Sequence, residues 1–257
     1  MIATRSHNPP RTVVVTGGGR GIGAEITRAF VEHGDRVAIA SRTETALAKE
    51  LGEQARWFPC DVRSEQGHLA VATAAVEWTG RLDVYVNCAG YSAWRPLHDV
   101  DADFWDQMID TNLRGTMWGC KTAARFLGSG GCIINVSSLA GKRGSANNAV
   151  YCASKFGVNG LTQAAAKELG ARGIRVNAVC PVYVRTEGLE DALRDERSPT
   201  GGADVSMYLE DFAATASALG RLPEGREVAG LCVYLASGGA SAITGQCINV
   251  DCGVLPQ

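Results

Sequence analysis

The stretch that decides the fold runs from Thr12 to Gly23 and reads TVVVTGGGRGIG. Its first five residues are all β-branched, which predicts a short buried strand. A cluster of glycines follows at once, and the pattern from Gly23 to His33 then has helical periodicity. The segment therefore predicts a strand, a tight glycine turn and a helix in direct succession.

This arrangement is typical of a dinucleotide site. Glycines permit a tight turn and let backbone N–H groups reach a pyrophosphate at the helix N-terminus. The common G-x-G-x-x-G spacing is matched only in its alanine-ended form, by Gly19, Gly21 and Ala24. The turn alone is weak evidence, but its place between a strand and a helix makes it strong. We predict cofactor contacts at these residues of the turn: Gly17, Arg20, Gly21, Ile22 and Gly23.

Strand and helix patterns continue to alternate along the chain. The strand patterns are Thr12–Thr16, Arg36–Ala40, Arg56–Pro59, Leu82–Asn87, Cys132–Ser137, Ile174–Cys180 and Gln246–Val250. The helix patterns are Gly23–His33, Glu44–Leu51, Ser64–Trp78, Phe104–Leu127, Tyr151–Ala171 and Glu224–Ser237. Such alternation predicts an α/β fold, a Rossmann-type doubly wound sheet of about seven parallel strands with helices on both faces.

We expect a single domain over residues 1–257, because no repeat, low-complexity tract or linker divides the chain. Residues 187–223 form an irregular segment rich in charge, glycine and proline after the sixth strand. Ligands on such sheets bind outside the carboxyl ends of the strands, so this segment would hang over the binding edge. It is predicted to be a substrate lid, with an ordinary surface loop as the alternative.

The end of the second strand pattern bears on cofactor choice. An acidic residue there favours NAD, whereas an arginine can meet the 2′-phosphate of NADP. Ser41 and Arg42 occupy that place, and Arg20 can supply a second cation, so we predict NADP(H) rather than NAD(H). Arg42 could instead be solvated or stack on adenine. Asp61 and Val62 follow the third strand and are predicted to contact adenine, although Asp61 could cap the next helix.

Composition excludes several classes of function. A formal charge of −2 and a pI near 6.1 give no reason to expect nucleic acid or an anionic membrane as partner. The apolar runs are strand-length, and the polar stretch Met1–Thr12 lacks the apolar core of a signal peptide. The nine cysteines include no C-x-x-C pair. We therefore expect a cytoplasmic protein with reduced, packed thiols and without a metal site.

Tyr151 and Lys155 form a second motif in the sequence YCASK. In a helix, their i, i+4 spacing places both side chains on one face. A free tyrosine titrates near ~10, and we expect the neighbouring ammonium to lower that pKa toward the range of an acid–base catalyst. Ser138 follows the fifth strand pattern and would face this helix.

These motifs occur in a fixed order, together with the sequence Asn87-Cys88-Ala89-Gly90, Asn112, and the stretch from Asn177 to Thr186. In that order and spacing the chain resembles the short-chain dehydrogenase/reductase family over essentially its whole length. The resemblance is to the branch of 3-oxoacyl reductases and of polyol and ketone dehydrogenases.

The resemblance implies an NADP(H)-dependent oxidoreductase that moves hydride between nicotinamide and a ketone or secondary alcohol. Tyr151 would be the general acid and base, and Lys155 would lower its pKa and bind the nicotinamide ribose. Ser138 would hold the substrate oxygen, and Asn112 would position a water that links Lys155 to solvent. The implied cofactor contacts in the second half of the site are Asn87, Ala89, Gly90, Tyr151, Lys155, Pro181, Val184 and Thr186.

Simpler roles stay open for three of these residues. Ser138 could cap the turn after its strand, Asn112 could bond backbone within a helix, and Asn87 could be structural. Two positions also depart from the family pattern: Cys88 replaces a common asparagine, and Val182 replaces a glycine beside the nicotinamide. Because valine disfavours positive φ and adds bulk, we predict that Val182 narrows the site without abolishing cofactor binding.

The substrate wall is predicted to be mixed aromatic and polar. Its predicted substrate contacts are Ser138, Leu139, Asn148, Tyr151 and Tyr183, with Tyr91, Trp94 and Lys142 nearby and Met207, Tyr208 and Phe212 as closing residues. This lining suits a medium-sized ketone or alcohol that carries other oxygen groups. Sugar-derived ketones, polyketide-like ketones and 3-oxoacyl thioesters all remain open.

Other classes are disfavoured. Nucleotide-sugar epimerases and dehydratases usually have a longer substrate domain, and enoyl reductases of the family separate Tyr and Lys more widely. A catalytically silent NAD(P)-binding module would not need Asn112, Ser138, Tyr151 and Lys155 together. We expect a small-molecule substrate and a homo-oligomer, a tetramer or dimer formed through the helices Phe104–Leu127 and Tyr151–Ala171, as the family resemblance implies.

Overall fold

The β-branched run Thr12–Thr16 forms an inner strand of the sheet. The computed structural model describes residues 10–256 and holds a parallel sheet of seven strands in the order β3-β2-β1-β4-β5-β6-β7. The strands are β1 Thr12–Thr16, β2 Arg36–Ser41, β3 Ala55–Pro59, β4 Val84–Asn87, β5 Cys132–Val136, β6 Arg175–Pro181 and β7 Cys247–Val250. The strand order reverses between β1 and β4, so a crevice opens at their carboxyl ends.

Helices cover both faces of the sheet, which confirms the predicted α/β doubly wound fold. They are α1 Gly21–Glu32, α2 Ala46–Glu50, α3 Glu65–Thr79, α4 Ala102–Ile109, α5 Gly115–Phe126, α6 Ala149–Leu169, α7 Glu187–Leu193, α8 Val205–Ala216 and α9 Gly225–Leu235.

The core consists of two apolar layers, because successive residues of a strand point to opposite faces. Val13 and Val15 of β1 pack on one face with Phe30 of α1 and Leu235 of α9. Val14 points to the other face, where the layer includes residues of α3, α5 and α6. This packing fixes the strand register, and with it the position of every loop at the carboxyl edge.

The predicted helix Phe104–Leu127 is wrong in detail. It starts earlier, where the Asp101 carboxylate accepts a hydrogen bond from the Phe104 backbone N–H at 2.8 Å. It is also interrupted by a π-helical turn at Asp110–Arg114, which separates α4 from α5 and contains Asn112. Single π-turns of this kind often occur at functional sites.

The segment 187–223 is not irregular, as the sequence had suggested, because it contains the helices α7 and α8. Each helix begins at a residue whose side chain caps it, Thr186 for α7 and Asp204 for α8. The two helices bury Leu193 and Leu209 in a small apolar cluster with Trp94.

Two further expectations concern the chain as a whole. The nine cysteines are free thiols in the part of the chain that is described, and six of them are buried. Among residues 10–256, no helix is long and apolar enough to cross a membrane. The polar stretch Met1–Thr12 lies mostly outside the described residues.

Candidate active site

A cavity of about 1060 Å³ lies at the crevice above the carboxyl ends of the strands. It is lined by every predicted cofactor contact except Asn87: Gly17, Arg20, Gly21, Ile22, Gly23, Ser41, Arg42, Asp61, Val62, Ala89, Gly90, Tyr151, Lys155, Pro181, Val184 and Thr186. The turn after β1 therefore shares one cavity with the YCASK motif, although about half of the chain lies between them.

The glycine turn is packed so closely that side chains do not fit. A Cβ atom on Gly23 would lie 2.1 Å from the backbone oxygen of Gly17, and one on Gly17 would lie 2.9 Å from the Cα atom of Ala89. Gly17 also has a positive φ of 67°. Thr45 donates a hydrogen bond to the Gly19 carbonyl at 3.1 Å, which holds the turn from the outside. No sequence motif predicts this role of Thr45.

The turn and the start of α1 fit a pyrophosphate. The residue before α1 is Arg20, and no side chain within residues 10–256 caps this helix end. The first N–H groups of a helix have no intrahelical partner, and together with the helix dipole they favour an anion. The donor set of the turn, backbone N–H groups and the exposed Arg20 side chain, has the chemistry that phosphate oxygens require.

The end of β2 and the loop after β3 form the adenosine end of the cavity. Arg42 is exposed on the cavity wall, near Asp61 and Arg63. The Arg63 guanidinium donates to both carboxylate oxygens of Asp61, at 3.0 Å and 2.6 Å, and this pairing lowers the pKa of Asp61. Asp61 does not cap the next helix, because Ser64 does so. Arg63 is a third cation at this end that the sequence analysis missed.

A buried histidine supports this loop from behind. His68 lies on α3 with no exposed surface, and its Nε2 contacts the Val62 carbonyl at 2.9 Å. Because a carbonyl can only accept, Nε2 carries the proton, and Nδ1 accepts from the Tyr85 hydroxyl at 2.8 Å. Burial lowers the pKa of His68, which favours this neutral form.

Asn87 and Asn112 do not reach the cavity wall. Asn87 is buried beneath it and donates to Asn135 at 2.9 Å, which supports the structural alternative for this residue. The Asn112 side chain is bonded to the Tyr91 backbone, accepting from its N–H at 3.1 Å and donating to its carbonyl at 2.9 Å. Asn112 thus ties the π-turn to the loop after β4, and its predicted role in holding a water stays a prediction.

The structure brings Ser138, Tyr151 and Lys155 together at the other end of the cavity. Tyr151 and Lys155 lie on one face of α6, with the Lys155 Nζ 5.7 Å from the centre of the tyrosine ring. Nζ donates a hydrogen bond to the Val136 carbonyl at 2.9 Å. The Ser138 oxygen accepts from the Ala140 N–H at 3.1 Å, so the expected turn-capping role exists. This bond leaves the hydroxyl hydrogen of Ser138 free to donate.

The expected lowering of the Tyr151 pKa by Lys155 is wrong for this structure. Burial raises the pKa of Tyr151 to about 12, and the Ser138 hydroxyl opposes this shift only in part. Burial also lowers the pKa of Lys155 to about 8, since desolvation disfavours the ammonium. The tyrosine is therefore protonated at neutral pH, while the lysine titrates close to that range.

The substrate wall is only partly as predicted. Leu139, Asn148, Tyr183, Tyr91 and Trp94 line the cavity, whereas Lys142, Met207, Tyr208 and Phe212 do not. Tyr208 and Phe212 pack behind Tyr183 in an aromatic cluster, with the rings of Tyr183 and Phe212 5.0 Å apart. Met207 lies outside this cluster and is 71% exposed. The insertion contributes residues only from the start of α7: Glu187, Gly188 and Leu189.

Val182 lines the cavity next to Pro181 and is half-buried. It is not among the described residues with positive φ, so valine causes no backbone strain there. Its N–H points to the Val250 carbonyl of β7 at 3.4 Å. In residues 10–256, no group of three or more His, Cys, Asp or Glu side chains is arranged to hold a metal ion.

Comparisons with known proteins identify the family of the chain. A family model described as enoyl-(acyl carrier protein) reductase matches residues 17–255. The ketoacyl reductase of a monensin polyketide synthase from Streptomyces virginiae is 40% identical, over 97% of this chain and 98% of the relative. D-threitol dehydrogenase from Mycolicibacterium smegmatis is 35% identical, over 95% of this chain and 92% of the relative.

A solved structure is similar over nearly the whole chain. It is an actinorhodin polyketide ketoreductase variant crystallised with NADPH, with a TM-score of 0.88 and 34% identity. The alignment covers 98% of this chain and 99% of the ketoreductase. By sequence, fold and cavity, the chain belongs to the short-chain dehydrogenase/reductase family and is an NAD(P)-dependent oxidoreductase.

Proposed function

We propose that the chain is an NADPH-dependent reductase of a medium-sized, oxygen-bearing ketone, with Tyr151 as its proton donor. The observation that carries the proposal is one cavity with two chemically different ends. Arg20, Arg42 and the glycine turn line one end, and Ser138, Tyr151 and Lys155 line the other. The cavity is large enough for a dinucleotide and a small substrate together.

The residues at the reaction end have protonation states suited to reduction. When bound, the nicotinamide supplies the hydride that adds to the carbonyl carbon. Ser138 donates a hydrogen bond to the substrate oxygen and holds it beside the phenol. Tyr151, whose pKa is raised to about 12, carries a proton at neutral pH and gives it to that oxygen. Lys155, with a pKa lowered to about 8, restores the proton.

NADPH is proposed over NADH because three arginines, Arg20, Arg42 and Arg63, line the adenosine end of the cavity. The carboxylate of Asp61 is already held by Arg63. Arg20 and Arg42 are both exposed on the cavity wall and suit a doubly charged 2′-phosphate. The related ketoreductase that was crystallised with NADPH supports the same choice.

A 3-oxoacyl thioester is the second candidate substrate, because three of the relatives are named ketoacyl or 3-oxoacyl-carrier-protein reductases. Docking of an acidic carrier would need free surface arginines. The surface residue Arg172 donates instead to the carbonyls of Ala124 and Leu127 at the end of α5. The contacts at this position therefore favour a free small-molecule ketone.

The test is NADPH oxidation by the purified chain with a panel of ketones: cyclohexanone, 4-hydroxycyclohexanone, 2-decalone and the N-acetylcysteamine thioester of 3-oxobutanoate. Tyr151→Phe should lower kcat about 10²-fold or more, because the proton donor is lost. Tyr234→Phe, at an exposed tyrosine of α9, is the matched control and should leave kcat unchanged. Turnover by Tyr151→Phe within a factor of a few would refute the proposed role.

The pH profile gives an independent check on Lys155. The reduction rate should fall as the pH rises through the lysine pKa of about 8, because the ammonium that restores the tyrosine proton is lost. Lys155→Met should abolish this fall of the rate with rising pH, along with most of the activity.

The predicted homo-oligomer is part of the same proposal. Trp105, Met117 and Phe156 are exposed on α4, α5 and α6, the helices that were expected to meet a second copy. Replacing Phe156 by glutamate should lower the mass measured by light scattering if these helices form the contact. An unchanged mass would place the contact elsewhere or show a monomer.

A further inference from the structure

Arg143 lies in the wall of the reaction end. It belongs to the loop between β5 and α6, five residues after Ser138, and it lines the same cavity as Ser138 and Tyr151. Its N–H donates to the Leu139 carbonyl at 3.0 Å, and its carbonyl accepts from the Cys152 thiol at 3.9 Å. These two bonds tie the loop to the residue after Ser138 and to the residue after Tyr151. They fix the backbone of Arg143 relative to both side chains.

The side chain of Arg143, in contrast, makes no polar contact with the described protein. It is exposed, and within residues 10–256 its guanidinium has no hydrogen-bond or ion-pair partner. Arg20 and Arg42 in the cavity wall are also exposed, but they lie at the adenosine end, where we propose that they meet the cofactor phosphates. Arg143 presents the same free donor group at the opposite end of the cavity.

The charge of Arg143 acts inside the reaction end. Burial and a hydrogen bond with Tyr208 raise the pKa of the Tyr183 phenol, and the guanidinium of Arg143 opposes this rise. Tyr151 also acts on that phenol, so the Tyr183 oxygen lies close enough to both groups to be affected by their charges. Because Tyr183 and Tyr151 line the cavity, the guanidinium lies on the side where the substrate is expected.

The carboxylates of the cavity wall are placed elsewhere. Within the described residues, those that line the cavity are Glu44, Asp61 and Glu187. Glu44 and Asp61 lie at the adenosine end, and each pairs with a cation there, at 3.8 Å and 2.6 Å. Glu187 follows Thr186, whose methyl group would lie 3.5 Å from a Cβ atom added to Gly21 in the glycine turn. The positive charge of Arg143 is therefore not balanced by this wall, and it favours an anionic ligand.

We propose that Arg143 binds a carboxylate of the substrate, several bonds away from the carbonyl that is reduced. The fork of N–H groups on a guanidinium matches the two oxygens of a carboxylate. One free guanidinium also balances the single charge of that group, whereas two arginines are available to the doubly charged phosphate at the adenosine end. The inference rests on the proposed ketone reduction and narrows its substrate class to oxo acids.

The experiment compares three oxo acids with their methyl esters: 4-oxopentanoate, 5-oxohexanoate and 6-oxoheptanoate. The series places the carboxylate at increasing distances from the ketone. For the native chain at low salt, kcat/KM with NADPH should favour the acid over its ester by about fivefold or more for at least one chain length. This preference should shrink as salt is added, because an exposed charge is screened. Equal values for acid and ester at all three lengths would overturn the inference.

Variants of Arg143 identify the group that is responsible. Arg143→Gln should remove the preference, chiefly by raising KM for the acid, because the ion pair forms in the bound substrate as well as in the transition state. Arg143→Lys keeps the charge but loses the fork, and should retain part of the preference. Arg125→Gln, at an exposed arginine in the last turn of α5, changes the net charge equally and is the matched control, with the preference intact. A preference that persists in Arg143→Gln would contradict the proposed site.

Binding without turnover separates this inference from the proposed function. NADP⁺ carries no hydride for a ketone, so thermal stabilisation of the free and of the NADP⁺-loaded chain by the same acids and esters measures binding alone. A greater stabilisation by the acids that is lost in Arg143→Gln supports the carboxylate site even if no ketone is reduced, in which case only the proposed function fails. Equal stabilisation by acids and esters contradicts the site even if ketones are reduced.

A stability measurement addresses a purely structural role. Because the guanidinium of Arg143 has no partner within residues 10–256, Arg143→Gln should leave the melting temperature of the free chain unchanged. Arg11→Gln should lower it, because Arg11 forms an ion pair with the buried Asp35 at 2.6 Å. A fall for Arg143→Gln as large as that for Arg11→Gln would show that Arg143 serves the fold and not the substrate.

Discussion

The two ends of the cavity differ in how their polar groups are satisfied. At the adenosine end, Asp61 is bonded to Arg63, and the carbonyls of Gly18 and Gly19 accept from Thr27 and Thr45. At the reaction end, Trp94 and Asn148 each hold a buried polar atom with no partner within residues 10–256, and Lys155 is buried there. The adenosine end thus offers a ligand the uncapped N–H groups of α1, whereas the reaction end holds buried side-chain atoms that the described protein leaves unpaired.

The difference follows from how each end is assembled. The adenosine end is built from short segments that directly follow β1, β2 and β3, and its geometry is set by close backbone contacts. The reaction end gathers loops after β4, β5 and β6 with the start of α6, which are far apart in sequence. We therefore expect substitutions at the first end to change cofactor affinity, and substitutions at the second to change turnover and substrate choice.

Gly23→Ala is the most severe test of the adenosine end. Its Cβ atom would lie 2.1 Å from the Gly17 backbone oxygen, so the turn must shift. Such overpacking typically costs about 1–3 kcal/mol, and here the shift also displaces the N–H groups that meet the phosphates. We expect NADPH affinity, measured by fluorescence titration, to fall about 100-fold.

The control for that experiment is Gly160→Ala in α6, where an added Cβ would meet no atom within 4 Å. This change should raise the free energy of unfolding by about 0.5–1 kcal/mol, since alanine favours the helix. If Gly23→Ala bound NADPH as tightly as the native chain, the adenosine end could not be the rigid cradle inferred from its contacts.

The same contrast explains what could be predicted from the sequence. The fold followed from the alternation of strand and helix patterns, and the adenosine end followed from Gly17–Gly23 and Arg42, because local motifs encode both. Thr45 was missed because its contact with Gly19 joins two loops that are distant in sequence. Arg63 was missed although it lies only two residues from Asp61, because the fold sets the direction of its side chain. At the reaction end, the Trp94 Nε1 has no hydrogen-bond partner within the described residues. This depends on which residues surround the ring in three dimensions, and the spacing of residues in the sequence does not predict it.

The pKa values show the same limit. The i, i+4 spacing correctly placed Tyr151 and Lys155 on one face of α6, but it predicted a lowered tyrosine pKa. Burial of both groups reverses that expectation and raises the pKa of Tyr151 to about 12. Burial depends on the whole of the surrounding structure. The spacing in the sequence could therefore predict that the two side chains are neighbours, but not their pKa values.

Arg42→Asp should have the next largest effect, on cofactor preference. Arg42 is exposed at the end of β2, where a carboxylate would repel the 2′-phosphate of NADPH and accept from the ribose hydroxyls of NADH. We expect the ratio of kcat/KM for NADPH to that for NADH to fall about tenfold or more. Arg36→Asp changes the charge equally at the opposite end of β2 and should leave the ratio unaltered.

A preserved ratio in Arg42→Asp would mean that this arginine does not contact the cofactor phosphate. Repeating the measurement in Arg63→Ala would then decide whether Arg63 holds the phosphate in its place. In either case, kcat with saturating cofactor should stay close to that of the native chain. This result would show that substitutions at the adenosine end change cofactor affinity and not turnover.

His68 gives a smaller effect, on stability and not on catalysis. Its pKa is lowered by burial, so its contribution to stability is fully present above its ordinary pKa near ~6.5 and is lost as the pH falls below that value. Uptake of this one proton adds at most ~1.4 kcal/mol per pH unit to the slope of the unfolding free energy.

His68→Gln should remove that part of the slope, because glutamine can still donate to the Val62 carbonyl but does not titrate in this range. Urea unfolding at pH 7.5 and pH 5.5 measures the difference. His98→Gln, at an exposed histidine, is the control, and the native slope should persist there. A slope that is the same in all three proteins would show that His68 is not held neutral behind the adenosine loop.

Val182→Gly should have the smallest effect of these substitutions. We expect that effect to be confined to the reaction end. Val182 lines the cavity without backbone strain, so glycine removes bulk and leaves the adjacent strand contact to Val250 in place. We expect KM for 2-decalone to fall a few-fold, with little change for cyclohexanone and none in the KM for NADPH. Steady-state kinetics with the two ketones measures this. A change in NADPH affinity would contradict the separation of the two ends, because the residues of the adenosine end are unaltered in this variant. Unchanged kinetics with both ketones would refute the prediction that Val182 narrows the site.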